Sequence, residues 1–126
     1  MSPDAELQKY IADLPRQMRA ELSAVISEEA QGLSDAQRDR LQSMLQPPEE
    51  EGDLLESCRV DEGAHDLEKM VRAGGDLTTD DDYDHALGFE YGTSRQPARS
   101  FFWSTIRERR EAMFQRIGAA VQRALG

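Results

Sequence analysis

The chain is expected to change from strand to helix within Phe89-Glu90-Tyr91-Gly92-Thr93-Ser94-Arg95-Gln96-Pro97-Ala98-Arg99-Ser100-Phe101-Phe102-Trp103. An apolar strand end meets a Gly-Thr-Ser turn, a loop with two arginines and a proline follows, and aromatic residues begin a helix. The segment contains no catalytic pattern. It predicts a loop that is held against another surface, and it separates a sheet region from a closing helix.

On both sides of this segment the hydrophobic spacing predicts helices. Residues 1–46 carry apolar side chains at helical spacing, with breaks expected at Pro15 and Gly32, after which Ser34 and Asp35 would cap a further helix. Residues 100–125 repeat apolar side chains at a near-helical period and predict one long amphipathic helix.

Between the helices, residues 54–91 have the character of a small sheet. Leu54–Val60 shows an imperfect strand alternation, Leu67–Ala73 fits either a strand or a short helix, and His85–Tyr91 is expected to be a strand. The acidic stretch 76–84 has little to bury and predicts an exposed loop. The order of elements predicts a single α+β domain over residues 1–126, with N-terminal helices, a small antiparallel sheet and a long C-terminal helix packed on the sheet.

Charge is distributed unevenly along the 126 residues. Residues 1–90 carry 23 acidic and 8 basic side chains, whereas residues 91–126 carry 2 acidic side chains and 7 arginines. Two surfaces of opposite charge favour head-to-tail contacts between copies of the chain. The alternative is that the basic C-terminal helix packs beside acidic segments of its own chain.

Reactive and metal-ligating residues do not form a recognisable catalytic or metal-binding pattern. The run Asp80–His85 lacks the ligand spacing of a calcium loop, and His65, His85 and Cys58 are too few to predict a zinc site. The sequence contains no recognisable nucleophile elbow or phosphate-binding loop, and its patterns lead us to expect neither a signal peptide nor a membrane span. We therefore expect a soluble cytoplasmic protein that is not an enzyme and that needs no cofactor or metal.

The arginines of the C-terminal region could contact phosphates, but the acidic remainder of the chain would repel DNA. We expect these arginines to serve protein contacts. Passive proximity to DNA inside a larger channel remains compatible with the sequence.

Three motifs occur in order and resemble those of the tail-completion, or neck, proteins of long-tailed bacteriophages and related prophage elements. Pro48–Ser57 is similar to the family's Pro-x-x-Thr-Gly-x-Leu-x-x-Ser turn, with Glu51 in place of threonine. His85–Thr93 is similar to Tyr-Ala-x-x-Val-Glu-Phe-Gly-Thr, with histidine in place of the tyrosine. The third, Ser94–Phe101, is similar to the family's Arg-Gln-Pro-Ala-Arg-Pro-Phe loop.

In that third motif Ser100 replaces the second proline. The first motif is weak alone, whereas the Glu90–Phe101 run is specific. The resemblance implies a structural virion protein of the neck, assembled in the host cytoplasm, that joins the head connector to the tail. It implies self-association into a ring, expected to be a hexamer, and partners among connector, adaptor or stopper, tail-terminator and tail-tube proteins.

The same residues suggest how such a loop would be used. Arginines can pair with carboxylates of a neighbour, and three consecutive aromatic residues cannot all face one core. The alternative, without a role in subunit contacts, is that an arginine pairs with Glu90 and that all three rings are buried within the domain. The predicted interface residues are Glu90, Arg95, Gln96, Arg99, Phe101, Phe102 and Trp103, and the predicted turn-forming residues are Gly52, Gly92, Thr93 and Pro97.

Other functions remain open at this point. Adaptor, stopper and tail-terminator rings are alternatives within phage assembly. From other classes, an acidic regulatory or inhibitory binding protein would bind a basic partner, and a small hydrolase or metal enzyme would depend on His85 and the neighbouring aspartates.

Overall fold

The structure is a computed structural model that describes residues 5–6, 9, 12–45 and 52–125. It confirms the predicted α+β class, with small antiparallel sheets between helical segments and a long C-terminal helix packed against them. The elements are α1 (Arg16–Met44), α2 (Asp53–Ser57), β1 (Arg59–Glu62), β2 (Lys69–Arg72), a 3₁₀ turn (Asp76–Thr78), β3 (Thr79–Asp80), β4 (Tyr83–Asp84), α3 (His85–Tyr91) and α4 (Phe102–Leu125).

The two long helices α1 and α4 lie side by side and run in opposite directions. Near one end of the pair Arg40 binds Glu108, and nearer the other end Arg116 binds Glu29. These partly exposed ion pairs show the register of the two helices, although such pairs contribute little energy. The first half of α1 therefore lies beside the second half of α4.

Helix α1 is continuous, so the predicted break at Gly32 and the predicted cap at Ser34 are wrong. Ser34 is buried in mid-helix, within a stripe of buried residues that also contains Ala30, Leu33, Gln37 and Leu41. Burial of this stripe at helical spacing outweighs the modest preference of glycine for a helix end. The predicted helix end at residue 46 lies outside the described residues.

Among the described residues, two cores lie along α1. One contains Leu22, Ala120 and Ala124 and joins the start of α1 to the end of α4. The other joins the end of α1 to the middle of the chain and to the start of α4. Its buried members are Leu41, Leu54, Cys58, Ala86, Phe89 and Phe101.

The sheet region consists of two separate hairpins. β1 pairs antiparallel with β2, with Val60 opposite Val71, so the strand alternative for Leu67–Ala73 is the correct one. Strand structure within Leu54–Val60 is limited to its end, because residues 53–57 form α2. Leu54, Ser57 and Cys58 are buried at helical spacing, which places α2 rather than a strand against the core.

The acidic stretch 76–84 is more ordered than the exposed loop that we expected. After the 3₁₀ turn, β3 and β4 form a tight hairpin in which Asp81 and Asp82 adopt positive φ angles of 49° and 64°. Two successive residues in this conformation are typical of a type I′ turn, which asparagine, aspartate and glycine tolerate best. The hairpin tip is nevertheless exposed, as expected.

Residues 85–91 form helix α3, so the predicted strand is wrong. The Asp84 carboxylate accepts a hydrogen bond from the Ala86 backbone N–H and caps the helix. Ala86, Phe89 and Glu90 are buried at helical spacing, whereas a strand would bury alternate residues. The apolar run was too short for periodicity to distinguish these two possibilities.

Within the described part of the chain, no helix is both long and apolar enough to cross a membrane.

Candidate interface

Glu90 is the most strongly constrained residue of the predicted site. Its side chain is buried, and its carboxylate accepts hydrogen bonds from Ser100 Oγ at 2.7 Å and from the backbone N–H groups of Phe101, Phe102 and Trp103, each at 3.0 Å. The N–H groups at a helix start have no partners within the helix and carry partial positive charge. Glu90 therefore caps α4 from inside the domain.

The protonation of Glu90 reflects two opposed effects. Burial raises the pKa of this carboxyl, but the hydrogen bonds from Ser100, Trp103, Phe102 and Phe101 lower it, and the net pKa lies below the ordinary value for glutamate. The carboxylate is therefore ionised at neutral pH and complements the helix N-terminus.

Arg99 also faces the interior of the domain. Its guanidinium lies 3.8 Å from the centroid of the Phe89 ring and donates to the Met44 carbonyl at 3.2 Å and to Gln96 Oε1 at 3.1 Å. The Met44 carbonyl belongs to the last turn of α1, where a cation is favoured. Arg99 thus connects the loop to α1 and α3 through hydrogen bonds and a cation–π contact.

Three of the predicted turn residues follow a helix instead of the expected strand. Gly92 ends α3 with a φ of 84° and a ψ of 167°, a conformation that is almost restricted to glycine. The Thr93 N–H donates to the Gln96 carbonyl, and Thr93 Oγ1 accepts from the Arg95 N–H. Pro97 lies exposed in this turn, whereas Gly52 has an ordinary φ of −60° just before α2.

The three consecutive aromatic residues face three different environments. Phe101 is 1% exposed and packs edge-to-face on Phe89, Phe102 is half-buried, and Trp103 is 46% exposed. Arg95 is exposed on the loop. Of the predicted interface residues, Trp103 and Arg95 therefore lie at the surface, while Glu90, Arg99 and Phe101 hold the domain together.

The structure reveals an exposed surface that extends from Trp103 along α4. Trp103, Arg107, Arg110 and Phe114 follow one another at intervals of four, three and four residues, which places them on one side of the helix. Leu87 and Tyr91, two exposed apolar residues of α3, lie beside Trp103 and extend this surface. We call it the aromatic–arginine face, and it consists of Leu87, Tyr91, Trp103, Arg107, Arg110 and Phe114.

Shallow hollows connect the members of this face. A hollow of about 460 Å³ is bordered by Tyr91, Trp103 and Arg107, and the next, of about 470 Å³, by Arg107, Arg110 and Phe114. The Arg110 guanidinium lies 5.5 Å from the Phe114 ring centroid. Five of the six residues were not predicted from the sequence, although the spacing of Trp103, Arg107, Arg110 and Phe114 was a usable signal.

A second open surface lies beside the β3–β4 hairpin. It is a groove of about 880 Å³, and Phe89 and Gly88 border it on α3. We call it the acidic groove, because its exposed border includes the carboxylates of Asp53, Glu56 and Asp80 and the apolar side chains of Leu77 and Tyr83.

The uneven charge distribution is partly neutralised within the chain. Arg116 of the basic region binds Glu29 of the acidic region. Packing of the basic helix beside acidic segments of its own chain therefore accounts for part of its charge. Arg107 and Arg110 remain exposed on the opposite side of α4.

The other reactive groups do not converge. Burial raises the pKa of the Cys58 thiol to about 11, so this cysteine is a neutral core residue at physiological pH. Asp84 serves as a cap, accepting from Gly75 N–H, Thr78 Oγ1 and Ala86 N–H. Among the residues that the structure describes, no group of three or more His, Cys, Asp or Glu side chains is arranged to hold a metal ion.

Comparison with known proteins finds no matching family model, no matching curated protein and no matching solved structure. Functional inference therefore depends on the residues of this chain and their arrangement.

Proposed function

We propose that this chain is a structural subunit of the neck of a tailed phage or phage-like particle, where a ring of its copies joins the head connector to the tail. The motif Glu90–Phe101 is the sequence support for this proposal. The structural support is the aromatic–arginine face, which gives a small domain a large surface suited to protein contacts.

The composition of this face supports a role in protein association. Leu87, Tyr91 and Phe114 are 55%, 63% and 60% exposed, respectively. Contiguous exposed apolar surface on a small domain marks interaction sites, and tryptophan, tyrosine and arginine dominate the binding energy of protein interfaces.

The motif residues supply a rigid base for this surface. Glu90 fixes the start of α4, and Arg99 fixes the loop to the end of α1. Side chains that are already held in place lose less conformational entropy on binding. In this proposal, the motif residues hold the backbone so that Tyr91 and Trp103 lie beside each other in a defined geometry.

Imaging of particles tests this function. Deletion of the gene from the phage or prophage that encodes it should leave complete heads and complete tails that are not joined, because the neck layer is missing. Electron micrographs of lysates give the readout, and wild-type protein supplied in trans should restore joined particles. Normal virions from the deletion strain would contradict the proposal.

The variant Tyr91→Ser/Phe114→Ser links this function to the aromatic–arginine face. Both side chains are exposed, so we expect the purified variant to keep its circular dichroism spectrum and to fail in restoring joined particles.

A further inference from the structure

We propose that copies of this chain associate head-to-tail, with the aromatic–arginine face of one copy docked in the acidic groove of the next. The inference rests on the proposed function, because it assigns the contact through which copies would form the ring. It differs from the sequence-based expectation, in which Arg95 and Arg99 made the contact.

The aromatic–arginine face presents a helix that can enter a groove. Along α4, Phe114 lies eleven positions after Trp103, which is about 16 Å at 1.5 Å per residue. Arg107 and Arg110 lie between them and are exposed. Helices that bind in grooves present their contact residues at such spacings of three and four, and here the aromatic rings offer apolar contact while the arginines offer charge.

The acidic groove has the complementary composition. Asp53, Glu56 and Asp80 are exposed at its border and offer carboxylates to arginines. Leu77 and Tyr83 are 55% and 44% exposed and offer apolar surface to aromatic rings. The acidic groove therefore matches the aromatic–arginine face in both charge and apolar contact. This double match favours a second copy of the chain as the partner of the face over an unrelated acidic protein.

The two surfaces cannot meet within one molecule. Helix α3 separates them, since His85, Gly88 and Phe89 border the groove and Leu87 and Tyr91 belong to the aromatic–arginine face. Leu87 and Tyr91 lie on one side of α3, and the three residues at the groove lie on the other side. A contact between two different surfaces is heterologous, and it closes into a ring when the rotation between copies permits.

Gly88 allows the groove to form beside α3. A Cβ atom at this position would lie 2.6 Å from the Tyr83 hydroxyl and 3.0 Å from Thr93 Cγ2. Because glycine has no side chain, the Tyr83 ring can lie against α3 and form part of the groove border.

Charge reversal on each surface tests the contact. We would measure self-association of the purified full chain by sedimentation velocity for Arg107→Glu/Arg110→Glu and, separately, for Glu56→Lys/Asp80→Lys. Each pair should weaken association by about 100-fold, since like charges would face each other. The quadruple variant should recover most of the affinity because its charges are exchanged, and an equimolar mixture of the two double variants should form mixed oligomers.

Matched controls change the same net charge elsewhere. Arg16→Glu/Arg123→Glu and Glu21→Lys/Asp39→Lys alter exposed residues outside both surfaces and should leave association within about threefold of the wild type. Circular dichroism and thermal unfolding would verify that all variants are folded.

The outcomes separate this contact from the neck function. A monomeric wild type, a groove variant that associates like the wild type, or a folded quadruple variant that fails to recover overturns the head-to-tail contact. An unaffected groove variant together with a disabled face variant would indicate that the aromatic–arginine face contacts a different surface of the neighbouring copy. The neck function is judged by the particle imaging and fails only if joining is normal without the gene.

Discussion

At Glu90 one carboxylate connects two helices that are separated in sequence by the 92–101 loop. Its acceptor atoms satisfy the N–H groups of Phe101, Phe102 and Trp103, which would otherwise be left without partners near the core. Arg99 likewise satisfies a backbone group at a helix end, because it donates a hydrogen bond to the Met44 carbonyl. The residues that make the motif specific thus have structural roles, and the exposed residues beside them are available for contact.

The exchange Glu90→Gln tests the capping role. It should reduce the free energy of unfolding at pH 7 by about 1–3 kcal/mol, because charge-assisted hydrogen bonds to the helix start are lost. The folded pKa is lowered, so the wild-type advantage should be complete above the ordinary glutamate pKa of about 4.3 and should decline as pH falls through the folded value.

Urea unfolding of both proteins at pH 7 and at pH 3 gives the measurement. Glu111→Gln on the exposed side of α4 is the control and should change stability by less than about 0.5 kcal/mol. A difference between Glu90→Gln and the wild type that is the same at both pH values would argue against the ionised cap.

The stability of the short helix α3 depends strongly on the residues at its two ends. Asp84 begins it, and Gly92 ends it with a backbone conformation that other residues rarely adopt. The short helix has only two turns, so its stability derives from burial of Ala86 and Phe89 and from these two ends.

We expect Gly92→Ala to destabilise the protein by about 1–3 kcal/mol, because φ is 84° and the new Cβ would lie 2.8 Å from the Ala98 backbone nitrogen. Gly52→Ala is the matched control. At Gly52 φ is −60° and, chain neighbours aside, no atom of the described residues lies within 4 Å of the new Cβ, so this change should be neutral or slightly stabilising. Thermal unfolding compares the two variants, and equal effects would contradict the assigned role of Gly92.

For the whole molecule, the arrangement of charge matters more than its total. The net charge of −10 would by itself keep copies apart, yet Arg107 and Arg110 form an exposed basic region on one side of α3 and the acidic groove lies on the other. In the proposed head-to-tail contact, the attraction between copies would therefore be local and directional.

Salt should weaken this attraction. The screening length falls from about 10 Å at 0.1 M salt to about 3 Å at 1 M, so we expect self-association to weaken by roughly tenfold over this range. Sedimentation at both salt concentrations measures the change, with Arg107→Ala/Arg110→Ala as a control whose weaker association should depend less on salt. Association that becomes stronger at high salt would indicate a contact dominated by apolar burial.

The amino-acid sequence by itself determined the α+β class, the long C-terminal helix and the uneven distribution of charge. These properties follow from hydrophobic period and composition over long segments, where many residues contribute to one pattern. The sequence also singled out Gly92, because a Gly-Thr-Ser step after an apolar run requires a turn.

Only the tertiary structure decided that residues 85–91 are helical and that Glu90 and Arg99 face inward. A seven-residue apolar run fits a strand or a helix, and the choice depends on Leu41 and Phe101, which pack in the same core from distant parts of the chain. Likewise, Arg99 faces inward because the Met44 carbonyl, 55 residues away in sequence, lies within hydrogen-bond distance. Such partners are brought together by folding, and local spacing contains no information about them.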